Sequence, residues 1–241
     1  MFMKKAVLAV LFVIFTCVSA LWAGDSAVFV DLGFSQDGRM YMFGQYGVNA
    51  STLCPWAEIY VVDVNRNVFV TGGRASITHN VPIRAGQDGS GIFHQLVSNN
   101  SSLVSRNGII HQNQGLPLYI SRDENPPSYG DRITFRDFLS GKSYVAQLFP
   151  TINGTGQNAR SQFYIDLKVY NTLETSSLVN MRPLKGFTVG TPSHTRQGIV
   201  QYNIKRVIID ERGGSVIFVI EMKQAAVNGF NIRYMIEAIR L

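Results

Sequence analysis

The stretch Ala27-Val-Phe-Val-Asp-Leu-Gly-Phe34-Ser-Gln-Asp-Gly38-Arg39-Met-Tyr-Met-Phe-Gly-Gln-Tyr46 sets the fold class. Val28, Val30, Leu32 and Phe34 occupy alternate positions, so in an extended strand they share one face. Ser35 to Gly38 then forms a turn, because Asp37-Gly38 supplies the positive φ that a tight hairpin needs. Arg39 to Tyr46 returns, with Met40 and Met42 on the face opposite Tyr41 and Phe43. After a polar loop from Gly47 to Pro55, Glu58 to Val64 is rich in β-branched residues. Asn65-Arg66-Asn67 turns the chain again, and Val68 to Thr71 comes back. The N-terminal third is a β-meander.

The same pattern resumes later. Arg132 to Phe138 and Ser143 to Phe149 flank the turn at Leu139 to Lys142. Phe163, Ile165, Leu167 and Val169 alternate with Tyr164, Asp166, Lys168 and Tyr170. Ile199 to Asp210, Ser215 to Met222 and Phe230 to Ile239 are joined by Gly213-Gly214 and by Asn228-Gly229. One segment breaks the rule. Ile92, Phe93, Leu96, Val97, Leu103 and Val104 recur at helical spacing, which predicts an amphipathic helix within residues 90–107. Asp88 or Ser90 starts it and Gly108 ends it. The expectation is a mainly β protein: one antiparallel domain over residues 21–241, built as a meander, a sandwich or a partial propeller, with a single helix.

Ahead of that domain lies a secretory signal. Lys4 and Lys5 form a basic start, Ala6 to Val18 is apolar, and Val18-Ser19-Ala20 is a small-residue cleavage site, which assigns residues 1–20 to a signal peptide. Contact with a membrane comes only through an uncleaved signal or a lipidated Cys17, whose preceding Phe15 and Thr16 match a lipobox poorly. Removing residues 1–20 lowers the formal charge from +6 to +4. The remaining basic residues are scattered, the nearest grouping being Arg182, Lys185, Lys205 and Arg206, so nucleic acid is not an expected partner. With 46% hydrophobic and 16% charged residues, the chain is not a disordered one. Cys54, the one cysteine left after the signal, is expected to be buried.

Residues 29–64 carry two resemblances. Leu32-Gly-Phe34-Ser-Gln-Asp37-Gly38-Arg39, followed by Ile59-Tyr60-Val61-Val62-Asp63, looks like a single blade motif of the TolB-type propellers. Phe29 to Gly47 together with Pro55-Trp56-Ala57-Glu58-Ile59-Tyr60-Val61-Val62-Asp63-Val64 resembles a family of predicted secreted bacterial proteins of unknown function. That second resemblance implies export and a β-rich fold, and no activity.

The catalytic motifs tested are incomplete. Gly141-Lys142-Ser143 lies in a hairpin turn rather than a phosphate loop. Asp63, Asn65 and Asn67 have calcium-loop spacing, but Val68 and Arg74 stand where that loop needs Gly and Glu. His79, His94, His111 and His194 form no ligand pair, so neither a metal site nor a cofactor is expected. Asp31 and Glu58 lie within strands rather than turns and are the candidate carboxylates for glycoside hydrolysis. Tyr46, Trp56 and Tyr60 are the candidate binding residues, because aromatics in one meander can line a groove. The leading functional expectation is an exported, periplasmic or secreted, non-enzymatic protein that binds an envelope protein or glycan. The alternatives are an envelope-glycan hydrolase using Asp31 and Glu58, and a small outer-membrane β-barrel.

Overall fold

A computed structural model describes residues 24–122, 132–176, 178–227 and 229–241; the signal segment with Cys17 and most of the 122–131 loop lie outside them. Strands β1 (Val28–Phe34), β2 (Met40–Val48), β3 (Pro55–Asp63) and β4 (Val68–Thr78) pair antiparallel in chain order as sheet 1. Helices α1 (Ser90–Asn99) and α2 (Ser101–Arg106) follow. Strand β5 (Leu116–Ile120) leaves for another sheet. Strands β6 (Arg132–Asp137), β7 (Lys142–Asn153) and β8 (Arg160–Tyr170) form sheet 2, and β9 (Lys185–Val189) and β10 (Arg196–Gln197) both add to the free side of β8. Strands β11 (Ile199–Ile209), β12 (Ser215–Ala226) and β13 (Gly229–Arg240) form sheet 3, with β5 beside β11.

The layers run helices, sheet 1, sheet 3, sheet 2. Met42, Ile59 and Val61 of sheet 1 pack on Phe93, Leu96 and Leu103 of the helices. The other face of sheet 1, with Tyr41, Phe43 and Val62, packs on Ile208, Ile217 and Val219 of sheet 3. The far face of sheet 3, with Val207, Phe218 and Ile220, packs on Tyr144, Phe163, Ile165 and Leu167 of sheet 2. Sheet 3 is therefore covered on both faces along the first half of β12. This explains the unbroken apolar run Val216 to Ile220, every residue of which is buried. Sheets stacked face to face make a layered sandwich. They are not blades around an axis, and the TolB-like motif lies in β1 to β3 of sheet 1. Nor do the strands close into one barrel; three separate open sheets overturn the outer-membrane barrel reading.

Three local readings change. Phe34 does not share a face with Leu32. A bulge at Gly33 (φ 95°) makes Leu32 the extra residue, so Leu32 faces the helices while Phe34 faces sheet 3. The helical segment is broken in two at Asn100, whose side-chain amide donates to the Leu96 carbonyl at 2.8 Å. This competes with the main-chain ladder, the usual reason Asn interrupts helices. Gly108 ends the second helix in the left-handed region, as expected. Cys54 is only half-buried, because it lies in the loop ahead of β3 rather than under a sheet.

Phe218 is fully buried at the centre of the central sheet. Phe218→Ala is expected to lower unfolding free energy by about 3–5 kcal/mol, measured by urea denaturation. A loss below about 1 kcal/mol would mean that sheet 3 is not the double-faced core layer.

Candidate functional site

Alternation in sheet 1 puts one aromatic from each strand on the face turned to sheet 3. Phe29 stacks on Phe43 (centroids 5.9 Å apart), Phe43 on Tyr60 (5.0 Å), and Tyr60 meets Phe69 at 5.2 Å. The row starts in the core between the two sheets and runs outward, so that Phe69 is 52% exposed. Phe43, Tyr60 and Phe69 of this row floor a cleft of about 420 Å³ between sheets 1 and 3. Sheet 1 also contributes Gln45, Glu58 and Arg74; sheet 3 contributes Met222, Arg233, Tyr234 and Met235; His194 and Arg196 close it from the β10 side. A second cavity of about 220 Å³ shares Phe69, His194, Arg196 and Met235 and ends at Asn67 and Glu237.

The cleft's polar groups are held by one another. Glu58 accepts from Tyr60 Oη at 2.6 Å, from Gln45 Nε2 at 3.0 Å and from Arg74 at 3.1 Å. Burial and the adjacent Glu58 carboxylate push the Tyr60 hydroxyl well above the usual phenol range. Arg74 also lies over the Tyr60 ring at 5.3 Å. Gln45 turns its carbonyl to the Tyr234 main-chain N–H at 2.9 Å. Arg233 stacks on Trp56 at 4.2 Å and pairs with Asp25 at 3.0 Å. Deeper in, Arg196 stacks on Phe163 at 4.8 Å and pairs with Glu237 at 3.4 Å. Asn67 donates to Glu237 at 2.5 Å and accepts the Ala238 N–H at 2.7 Å. Burial raises the Glu237 pKa, against the opposing pull of Asn67 and Arg196.

The structure separates the candidate residues. Tyr60 is in the cleft floor. Trp56 shares its face of β3 and supports Arg233 at the margin. Tyr46 points through the opposite face and packs on Phe93 of α1 at 5.4 Å, because it has the parity of Met40 and Met42. Glu58 is in the cleft. Asp31 faces the same interlayer space but sits two strands and one row away, about 12 Å between Cα atoms at ordinary strand spacing and rise, with the Phe43 strand between them. The two carboxylates share no hydrogen-bond partner in the structure: Asp31 accepts from the Gly33 N–H at 2.9 Å. Among the described residues no group of three His, Cys, Asp or Glu is placed to hold a metal ion.

Phe69, Arg196, Arg233, Tyr234 and Glu237 were not singled out by the sequence reading, and Arg74 entered it only as a residue that breaks the calcium-loop spacing. One signal was available. Glu237 interrupts the apolar run Met235 to Ile239, and a charge inside such a strand needs a partner. Arg196 had no signal, since β10 is two residues long and gains its position only from pairing with β8.

Antiparallel sheets stacked in layers define a mainly β protein. The chain belongs to the family described as "Predicted secreted protein (DUF2259)", whose profile matches residues 42–240. Searches of curated proteins and of solved structures returned no match. The family description supports export.

Asp31 supplies a pH test of this interlayer space. Burial raises its pKa to about 6, against the lowering effects of the Gly33 amide, the Tyr41 hydroxyl and Arg206. Unfolded, the group ionises near pH 4. Ionising it within the fold therefore costs nothing below pH 4, and the cost grows to about 2–3 kcal/mol as pH rises through 6. Asp31→Asn is expected to stabilise the protein by about that amount at pH 7.5 and to leave stability unchanged at pH 3.5. Equal effects at both pH values in urea titrations would refute the assignment.

Proposed function

We propose that this chain is an exported, non-enzymatic binding protein of the cell envelope, and that the cleft between sheets 1 and 3 is its ligand seat. The observation that carries this reading is the aromatic row emerging from the core to Phe69, rimmed by Arg74, Arg196 and Arg233. Aromatic faces stack on sugar rings and on apolar side chains, and a guanidinium fork orients a carboxylate. A concave, mostly apolar floor with a few convergent polar groups is the usual form of a ligand site. The chemistry suits a carboxylate-bearing envelope glycan or an acidic segment of an envelope protein. Each arginine is already braced by a ring or a carboxylate, so little side-chain entropy is lost on binding.

The same geometry weakens the hydrolase reading. A retaining or inverting pair needs carboxyl groups roughly 5–9.5 Å apart across a substrate. Glu58 is instead committed to Gln45, Tyr60 and Arg74, and Asp31 lies behind the Phe43 strand.

Calorimetric titration with uronic-acid oligosaccharides and with acidic peptides tests the seat and distinguishes the two ligand sources. Phe69→Ala and Arg74→Ala are expected to weaken whichever ligand binds by about tenfold each, at ~1.4 kcal/mol. Both side chains are largely exposed, so the fold is expected to survive. Binding that is unchanged in both variants would place the ligand elsewhere. Release of reducing sugar would overturn the non-enzymatic reading.

A further inference from the structure

We propose that the end of sheet 2 formed by the β6–β7 turn and the 171–184 connection docks on an anionic phospholipid bilayer. Phe138 and Leu139, at the tip of the turn, are 73% and 77% exposed. The turn is built to keep them there. Asp137, buried beneath it, accepts the Leu139 N–H at 3.0 Å and the Ser140 hydroxyl, and Gly141 takes a φ of 69°. A turn locked from inside holds two apolar side chains in water at a standing hydrophobic cost, which burial in a partner would remove.

The surroundings extend this surface. Lys142 pairs with Asp137, Ser143 with Tyr170, and Lys185 with Val169, so the start of β9 lies at the same end of the sheet. Leu184, exposed just ahead of β9, donates its N–H to the Val169 carbonyl at 2.7 Å. Exposed Leu173 and Met181 belong to the same connection, which is fastened by Arg136 donating to Thr175 at 2.6 Å and by Leu178 buried on Val145 and Tyr170. From β6 to β9 this end spans about 15 Å at ordinary strand spacing.

Charge selects the occupant. Arg136 and Lys142 flank the apolar tip, Lys185 starts β9 at the same end of the sheet, and exposed Arg182 lies in the connection leading into β9, against buried Asp137 and exposed Glu174. A projecting tip with Phe and Leu at its apex and Lys and Arg behind matches an anionic interface. The rings and methyls enter the headgroup boundary while the cations meet lipid phosphates. A convex tip does not itself form a pocket for a small ligand. The cleft is at the other end of β8, where Arg196 pairs with Ser161, roughly 30 Å along the strand from Tyr170. Docking by the tip would leave the cleft open, and the inference stands independently of what the cleft binds.

Cosedimentation of the protein recovered from the exported fraction tests this. The probes are vesicles of three parts phosphatidylethanolamine to one part phosphatidylglycerol, and vesicles of phosphatidylcholine alone. Retention is expected on the anionic vesicles only and is expected to fall with salt. Phe138→Ser with Leu139→Ser should cut the bound fraction at least fivefold, and Arg182→Glu with Lys185→Glu should weaken binding by about tenfold or more. All four positions are exposed, so melting temperatures should hold. Phe138→Trp should show a blue-shifted emission on anionic vesicles, which a merely structural role would not produce. Absent retention, or retention equal in wild type and variants, overturns the proposal. So does self-association that the Phe138/Leu139 variant abolishes, because the tip would then meet a second copy.

Discussion

Glu237 is where the three sheets are tied together. It lies in β13, in the central sheet. Asn67, from the β3–β4 turn of sheet 1, reaches it with one end of its amide and caps the neighbouring Ala238 N–H with the other. Arg196, from the β10 edge of sheet 2, meets its other carboxylate oxygen while lying on Phe163. A carboxylate this buried is costly unless every oxygen has a partner, and removing one partner of such a set is more damaging than the net worth of the pair. The residues that satisfy Glu237 thus also fix how sheets 1 and 2 sit on sheet 3.

That docking leaves β13 as an edge strand with unusual cover. Its outward N–H groups would invite another strand. The Ile232 N–H goes to the Asp25 carbonyl, that of Tyr234 to Gln45, and that of Ala238 to Asn67. Side-chain amides of sheet 1 therefore do the work of a neighbouring strand. Where they reach across, the two sheets cannot close completely, and the cleft is the space that remains. Its polar rim and the interlayer contacts are made by the same residues. A ligand there would meet groups already fixed in position, which limits the ordering cost of binding.

The molecule consequently has two unlike ends. One carries the cleft, where arginines are braced and aromatics are half-covered. The other carries a rigid hairpin tip with uncovered Phe138 and Leu139 and basic residues behind them. In both places Asp or Glu is spent on holding a shape: Asp137 locks the tip and Glu58 organises the cleft floor.

Period-two alternation was enough to read the β class, the hairpins at Gly38, Gly141 and Gly213, and the final meander. These depend on neighbours in the chain, which a sequence displays directly. Tyr60 and Glu58 were legible as site candidates for the same reason. Tyr46 was not separable from Trp56, because which residues share a face across two strands depends on register. The bulge that turned Phe34 over was equally hidden, although Gly33 hinted at it. Strand β5 is short, contains Pro117 and finds its partner about 90 positions later in β11. Arg196 meeting Glu237, and the stacking order of the three sheets, arise only when distant segments pack. Local pattern decides what each strand is; the burial of Glu237 and the packing of sheet 3 between sheets 1 and 2 decide where each strand goes.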